Sequence, residues 1–207
     1  MIAAAAANQL WWYVARSGGI VSWALLACSV VAGLAISTKT TAGLRPNWLL
    51  DMHRFLGGLA TMFVGVHVLG IVADSYVSFG PTDVLVPLAS SWHPEVVALG
   101  IVAMYLLVAV EATSLLRKRL IREPRGKRIW RMTHAASFPL FLLATWHGVA
   151  AGTDTRTAWL RWPMILTGVG VAVLAAVRIR QALYPTAAPT ARPTRAVTPH
   201  DTKVNAT

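Results

Sequence analysis

Five stretches of the chain are nearly free of charge and long enough to cross a bilayer: residues 17–38, 48–73, 95–116, 132–152 and 159–180. A membrane helix needs ~20 predominantly apolar residues, and inside a bilayer only helices and closed barrels satisfy their own backbone polar groups. Runs of this length predict helices, and so an all-α integral membrane protein, a five-helix transmembrane bundle. Two flanking stretches break the pattern. Residues 9–16 (Gln-Leu-Trp-Trp-Tyr-Val-Ala-Arg) are short and aromatic, which predicts an interfacial segment over 1–16 ahead of a membrane domain at 17–182. Residues 183–207, rich in Pro, Ala and Thr, predict a disordered tail with His200 in solvent.

Composition narrows the class. The 207 residues are 56% hydrophobic and 13% charged, with a mean hydropathy of +0.55, which excludes a water-soluble fold. Met1–Asn8 lacks a basic start, so no cleaved signal is expected. The single cysteine, Cys28, rules out an intramolecular disulfide and a cysteine-cluster metal site, and is expected to be a packing residue. Gly168 and Gly170 predict close packing of the fifth span.

A net charge of +11 would suit nucleic acid, but its placement argues for a membrane instead. Arg117, Lys118, Arg119, Arg122, Arg125, Lys127, Arg128 and Arg131 crowd one connection, whereas no Lys or Arg falls between Arg54 and Arg117. This is the positive-inside asymmetry. It puts the 117–131 connection in the cytoplasm with Lys39, Arg45, Arg178 and Arg180, the N-terminus outside and the C-terminus inside. Arg156 and Arg161 run against the bias, with Asp154 close by. The expected location is a plasma membrane of bacterial type. Membrane lipid is the expected surroundings; the basic connection would also suit anionic lipid or an acidic partner.

Four histidines interrupt these apolar runs. His53 and His67 lie fourteen residues apart in the second, and His134 and His147 thirteen apart in the fourth. Ionisable groups at membrane depth are costly and face a bundle interior with a partner. The second and fourth spans run in the same direction, so His53 and His134 share the inner level and His67 and His147 the outer. At ~1.5 Å per residue the levels are about 20 Å apart. Fourteen residues fall about 40° short of four turns, so His53 and His67 share a face; thirteen leave a mismatch of about 140°. Pro139 lies between His134 and His147, where an internal proline can rewind the helix.

A structural zinc site needs four converging ligands, which two separated levels do not offer. Two helices bearing two histidines each could instead hold two haems through four axial bonds. Bis-histidine iron has no open axial position, which favours electron transfer over oxygen binding. Gly57, Gly58, Ala60 and Gly65, with Ala135, Ala136, Gly148, Ala150 and Ala151, would leave room for a flat macrocycle, or equally allow close helix packing.

The segments Met52-His53-Arg54-Phe55…Val66-His67 and Trp130-Arg131-Met132-Thr133-His134…Trp146-His147-Gly148 resemble the ferric reductase-like transmembrane domain, shared with the membrane core of NADPH oxidases. The resemblance covers roughly residues 17–180. It implies two b-type haems, with His53 and His134 on the inner iron and His67 and His147 on the outer. Two departures stand out: five crossings where many relatives have six, and no cytoplasmic flavin and nicotinamide domain. The electron donor would then be a separate flavoprotein, reduced flavin or quinol.

The remaining polar residues take secondary roles. Arg54 and Arg131, beside the inner histidines, would pair with haem propionates or snorkel to lipid phosphate. Glu111 is expected to pair with Arg117 or another cation of the basic connection, a proton relay being the lesser reading. Asp51 would cap or orient the second span, and His93, before Pro94, would mark a helix start or offer an outer metal contact. Asp74, Asp83, Glu95 and Asp154 make the opposite end acidic, suited to a cation such as ferric iron.

The expected function is a transmembrane dihaem cytochrome b. It would pass electrons to an acceptor at the outer face: ferric iron, oxygen or a redox partner. Two alternatives stand beside it. One is a haem-binding subunit that relays electrons to a separate oxidoreductase, like the haem subunit of the periplasmic methionine sulfoxide reductase system. The other is a haem-free transporter whose histidines handle protons or metal.

Overall fold

The computed structural model describes residues 2–38, 43–75 and 78–184, and every regular element among them is helical. In chain order these are α1 (Ile2–Thr38), α2 (Pro46–Ala73), α3 (Pro81–Leu85), α4 (Pro94–Leu115), α5 (Arg117–Leu120), α6 (Pro124–Ala135), α7 (Ser137–Ala151), a 3-10 turn (Asp154–Arg156) and α8 (Ala158–Leu183). Met1, Lys39, residues 185–207 of the expected tail and His200 within it lie outside the described residues. Prolines set four of the starts. Pro46, Pro81, Pro94 and Pro124 each open a helix, where a missing N–H forfeits no hydrogen bond.

Among the described residues, four helices are long and apolar enough to cross a membrane: Gln9–Thr38, Pro46–Ala73, Pro94–Leu115 and Ala158–Arg180. The first of these modifies the expected boundary at residue 16. Residues 9–16 continue α1 without a break, because nothing in Trp11-Trp12-Tyr13-Val14-Ala15-Arg16 interrupts a helical backbone. The fourth expected span differs more. Pro139 has no N–H for the Ala135 carbonyl, and its ring crowds that same carbonyl. The helix accordingly breaks at Ala136, whose N–H turns back to the carbonyls of Thr133 (3.0 Å) and Met132 (3.2 Å). The segment is thereby divided into α6 and α7. Alone, the 15 residues of α7 reach only ~22 Å, short of a ~30 Å hydrocarbon layer.

Helix α1 lies along α2, while α7 packs against α4, α8 and α1. Small residues let backbones touch. A β-carbon at Gly70 would stand 2.7 Å from the Ala15 nitrogen, and one at Gly148 would stand 2.7 Å from Met164 Cε on α8. Gly168 is buried against Thr145, as close packing of the last span requires; Gly170 faces open space. A central apolar layer joins Leu26, Ala60, Leu107, Leu140, Phe141 and Val171, with Ala60 and Phe141 fully buried. Trp23 stacks on Phe141 (6.4 Å, 24°) and donates its indole N–H to Thr145 Oγ1 at 3.1 Å.

The two ends differ in charge. Helices α5 and α6 carry the basic cluster. The opposite end is tied by Arg16, which donates two hydrogen bonds to the Asp154 carboxylate, one of them Nε to Oδ2 at 2.8 Å, while its guanidinium lies 3.8 Å from the Trp12 ring centre. Cys28 is exposed on α1 and is not a buried packing residue. His93 is the N-cap of α4, in a left-handed conformation (φ 41°), consistent with the helix-start reading.

Candidate functional site: two facing histidine pairs

The break at Ala136 resolves the 140° mismatch between His134 and His147. With α6 and α7 free to differ in phase, both rings turn toward α2. His53 faces His134, with ring centres 5.9 Å apart and planes at 80°. His67 faces His147 at 6.3 Å and 77°. The first pair lies toward the basic end and the second toward the acidic end, with Ala60 midway along α2 between them.

Two imidazoles bound end-on to one metal atom at ~2 Å each hold their ring centres on the order of 6 Å apart. Edge-to-face aromatic contacts fall in the same range, so separation alone does not decide. The other ring nitrogens add a second observation. His67 Nδ1 lies 2.6 Å from the Ala15 carbonyl, His147 Nδ1 2.8 Å from that of Val96, and His53 Nδ1 2.8 Å from that of Ser29. A carbonyl only accepts, so each Nδ1 carries the proton and donates it. The neutral ring then presents its Nε2 lone pair, the arrangement a metal-bound histidine needs. No hydrogen bond joins the two rings of either pair among the described residues. Nor do three or more His, Cys, Asp or Glu side chains converge anywhere among them, so the histidines meet as pairs and not as a zinc-type cage.

His134 is the exception. Its Nδ1 is buried without a partner, as is the Trp130 indole nitrogen. Trp130 instead stacks on His134 (5.4 Å, 23°), and Arg117 lies 4.8 Å above the Trp130 ring. At the other level, His67 and His147 both line a cavity of ≈ 320 Å³ that extends to Trp92 and Asp154 at the acidic end. Its walls are mostly apolar, with a few convergent polar groups.

The neighbouring polar residues take places the sequence did not foretell. Arg54 is exposed and pairs with Asp51 Oδ1 (3.6 Å), so Asp51 is a mid-helix surface partner and not the cap of α2, which falls at Arg45. Arg131 is exposed on α6. Arg117 approaches the inner level through Trp130, whose ring it overlies. Because Arg117 is engaged there, the expected Glu111–Arg117 pair is not formed; the Glu111 carboxylate lies instead against α2, where a β-carbon at Gly57 would stand 2.7 Å from Oε1. Gly57 thus accommodates Glu111, while Gly58 and Gly65 face open space. Ala15, Ser29 and Val96 were missed, since a backbone carbonyl leaves no mark in side-chain chemistry.

A family model described as ferric reductase like transmembrane component matches residues 18–145, well over half of the chain. No curated protein and no solved structure matches it. The matched span takes in α1 from residue 18 onward, α2, α4, α6 and most of α7, and with them His53, His67 and His134; His147 lies just beyond it. Four apolar helices and this match together make the protein an integral membrane protein, and the chain belongs to the ferric reductase-like transmembrane component family.

Proposed function

We propose that this protein is a transmembrane dihaem cytochrome b. It carries electrons from a donor at its basic, cytoplasmic face to an acceptor at its acidic, outer face. The observation that supports this best is the pairing of the four histidines at two depths, three of them with Nδ1 tied to a carbonyl and Nε2 left for a metal. His53 and His134 would hold the inner b-type haem, and His67 and His147 the outer. In this reading the divided α6–α7 segment is the fifth crossing.

Bound haem supplies one-electron chemistry at iron, and the polypeptide supplies everything around it. With a histidine from each helix at either level, the sites would favour electron transfer over ligand binding at iron. The central layer of Leu26, Ala60, Leu107 and Phe141 keeps the two levels apart and dry, so electrons rather than ions cross. The basic face of α5 and α6 suits an acidic donor such as a flavoprotein, or reduced flavin; a quinol would arrive from the lipid. Asp74, Asp83 and Glu95 favour a cationic acceptor at the far face, such as ferric iron. Arg117, over the Trp130 ring that stacks on His134, is a cation placed to offset negative charge at the inner level.

Reconstitution tests this directly. Liposomes containing the protein and loaded with an impermeant ferric chelate should reduce that chelate when a reductant is supplied outside, and His67→Ala should abolish the reaction. An untouched chelate in vesicles whose protein is itself reduced would contradict transmembrane electron transfer.

A further inference from the structure

Each of the three carbonyls that receive a histidine Nδ1 is followed, four residues on, by glycine: Ala15 by Gly19, Ser29 by Gly33, and Val96 by Gly100. Those glycines touch the same rings. A β-carbon at Gly100 would stand 2.8 Å from His147 Nδ1 and Cε1, one at Gly19 would stand 3.0 Å from His67 Nδ1, and one at Gly33 would stand 3.2 Å from His53 Cε1.

The coincidence has a geometric cause. A helical carbonyl at position i already accepts the N–H of i+4, and only its second lone pair is left for an outside donor. Side chains of a helix lean toward its N-terminus, so the residue at i+4 covers that lone pair with its β-carbon. Only glycine at i+4 uncovers it.

The fourth histidine is the control that the fold itself provides. His134 Nδ1 is the one ring nitrogen of the four left without a partner, and none of the glycines has the His134 ring among its nearest neighbours.

We propose that Gly19, Gly33 and Gly100 are positioning residues for the axial histidines. Each opens the carbonyl one turn before it, and that carbonyl fixes the tautomer, plane and basicity of the ring. The inner site therefore has one carbonyl-bonded imidazole and the outer site two. A hydrogen bond from Nδ1–H makes an imidazole a stronger donor to ferric iron and so lowers the potential of the metal it binds. The inference rests on the haem reading above and adds to it the means by which ring orientation and potential are set.

The test uses full-length protein in detergent or nanodiscs, with haem per chain, midpoint potentials and low-temperature EPR as readouts. Gly100→Ala should shift the outer haem potential upward and alter its EPR signal, or empty that site, while the inner haem is unchanged. Gly33→Ala should do the same to the inner haem more weakly, since its β-carbon meets the ring edge at 3.2 Å rather than 2.8 Å. Gly170→Ala, in open space on α8, should change neither. Gly33→Ala reports on the inner site independently of the outer level. It keeps the proposal testable if Gly100→Ala fails to assemble. Haem-free wild-type protein would overturn the cytochrome reading. Haem-replete protein in which Gly100→Ala and Gly33→Ala both leave spectra and potentials unmoved would overturn the glycine positions alone.

Discussion

Replacing Pro139 with alanine should cost the protein its inner haem and spare the outer one. The proline keeps α6 and α7 out of phase by denying Ala135 a hydrogen-bond donor and crowding its carbonyl. Alanine removes both effects, and the gain for a continuous helix is ~3 kcal/mol, roughly two orders of magnitude in the equilibrium between broken and continuous forms. On a continuous helix His134 and His147 stand about 140° apart in azimuth; with side chains reaching ~5 Å from the axis, one imidazole moves on the order of 9 Å. That exceeds the 5.9 Å that separates the inner rings. Which ring moves is decided by anchoring. Helix α7 is held by buried Leu140, Phe141 and Thr145, whereas α6 has no buried residue and His134 no Nδ1 partner. The phase change therefore falls on α6. Haem quantified per purified chain should drop from two to one, with the remaining haem showing the outer site's potential. Two haems with unchanged spectra in Pro139→Ala would refute the argument that the proline sets the phase.

Other substitutions separate the two levels. His67→Ala or His147→Ala should remove the outer haem and leave the inner difference spectrum, while His53→Ala or His134→Ala should do the reverse; equal loss of both bands in all four would break the pairing. The near-perpendicular rings, at 80° and 77°, predict a broad, strongly low-field ferric EPR signal for each haem, and the three-line rhombic spectrum of parallel imidazoles would contradict that geometry. Arg16→Ala removes a two-bonded, partly buried ion pair between α1 and the turn after α7. Its loss should destabilise the acidic end by about 1 kcal/mol, less at high salt, seen as a few degrees in thermal unfolding with the inner haem unaffected.

Much of this arrangement is legible in the sequence because the signals are strong and local. Apolar runs, the basic connection and the histidine spacing each depend on one segment at a time. Pro139 is legible too, as a residue that forbids one particular hydrogen bond, although whether it bends or divides the helix depends on what anchors each side. The failures share another cause. Arg16 and Asp154 are 138 residues apart, and nothing in either segment announces the other. The placement of Glu111 against Gly57, rather than on Arg117, turns on the azimuth of α4, and Trp130 captures Arg117 first. The glycines at 19 and 33 repeat the fourteen-residue spacing of His53 and His67, but that match has meaning only once α1 is known to lie antiparallel against α2. Residues 9–16 run on into α1 because Trp and Tyr favour an interface without preventing a helix from passing through it.

The central claim is the presence of two haems on four histidines, and its most direct measurement is a reduced-minus-oxidised visible spectrum with haem quantified per purified chain. Two low-spin b-type haems per chain, falling to one in His147→Ala, is the predicted result. Protein expressed with ample haem yet carrying none would contradict the account and return the four histidines to packing or transport.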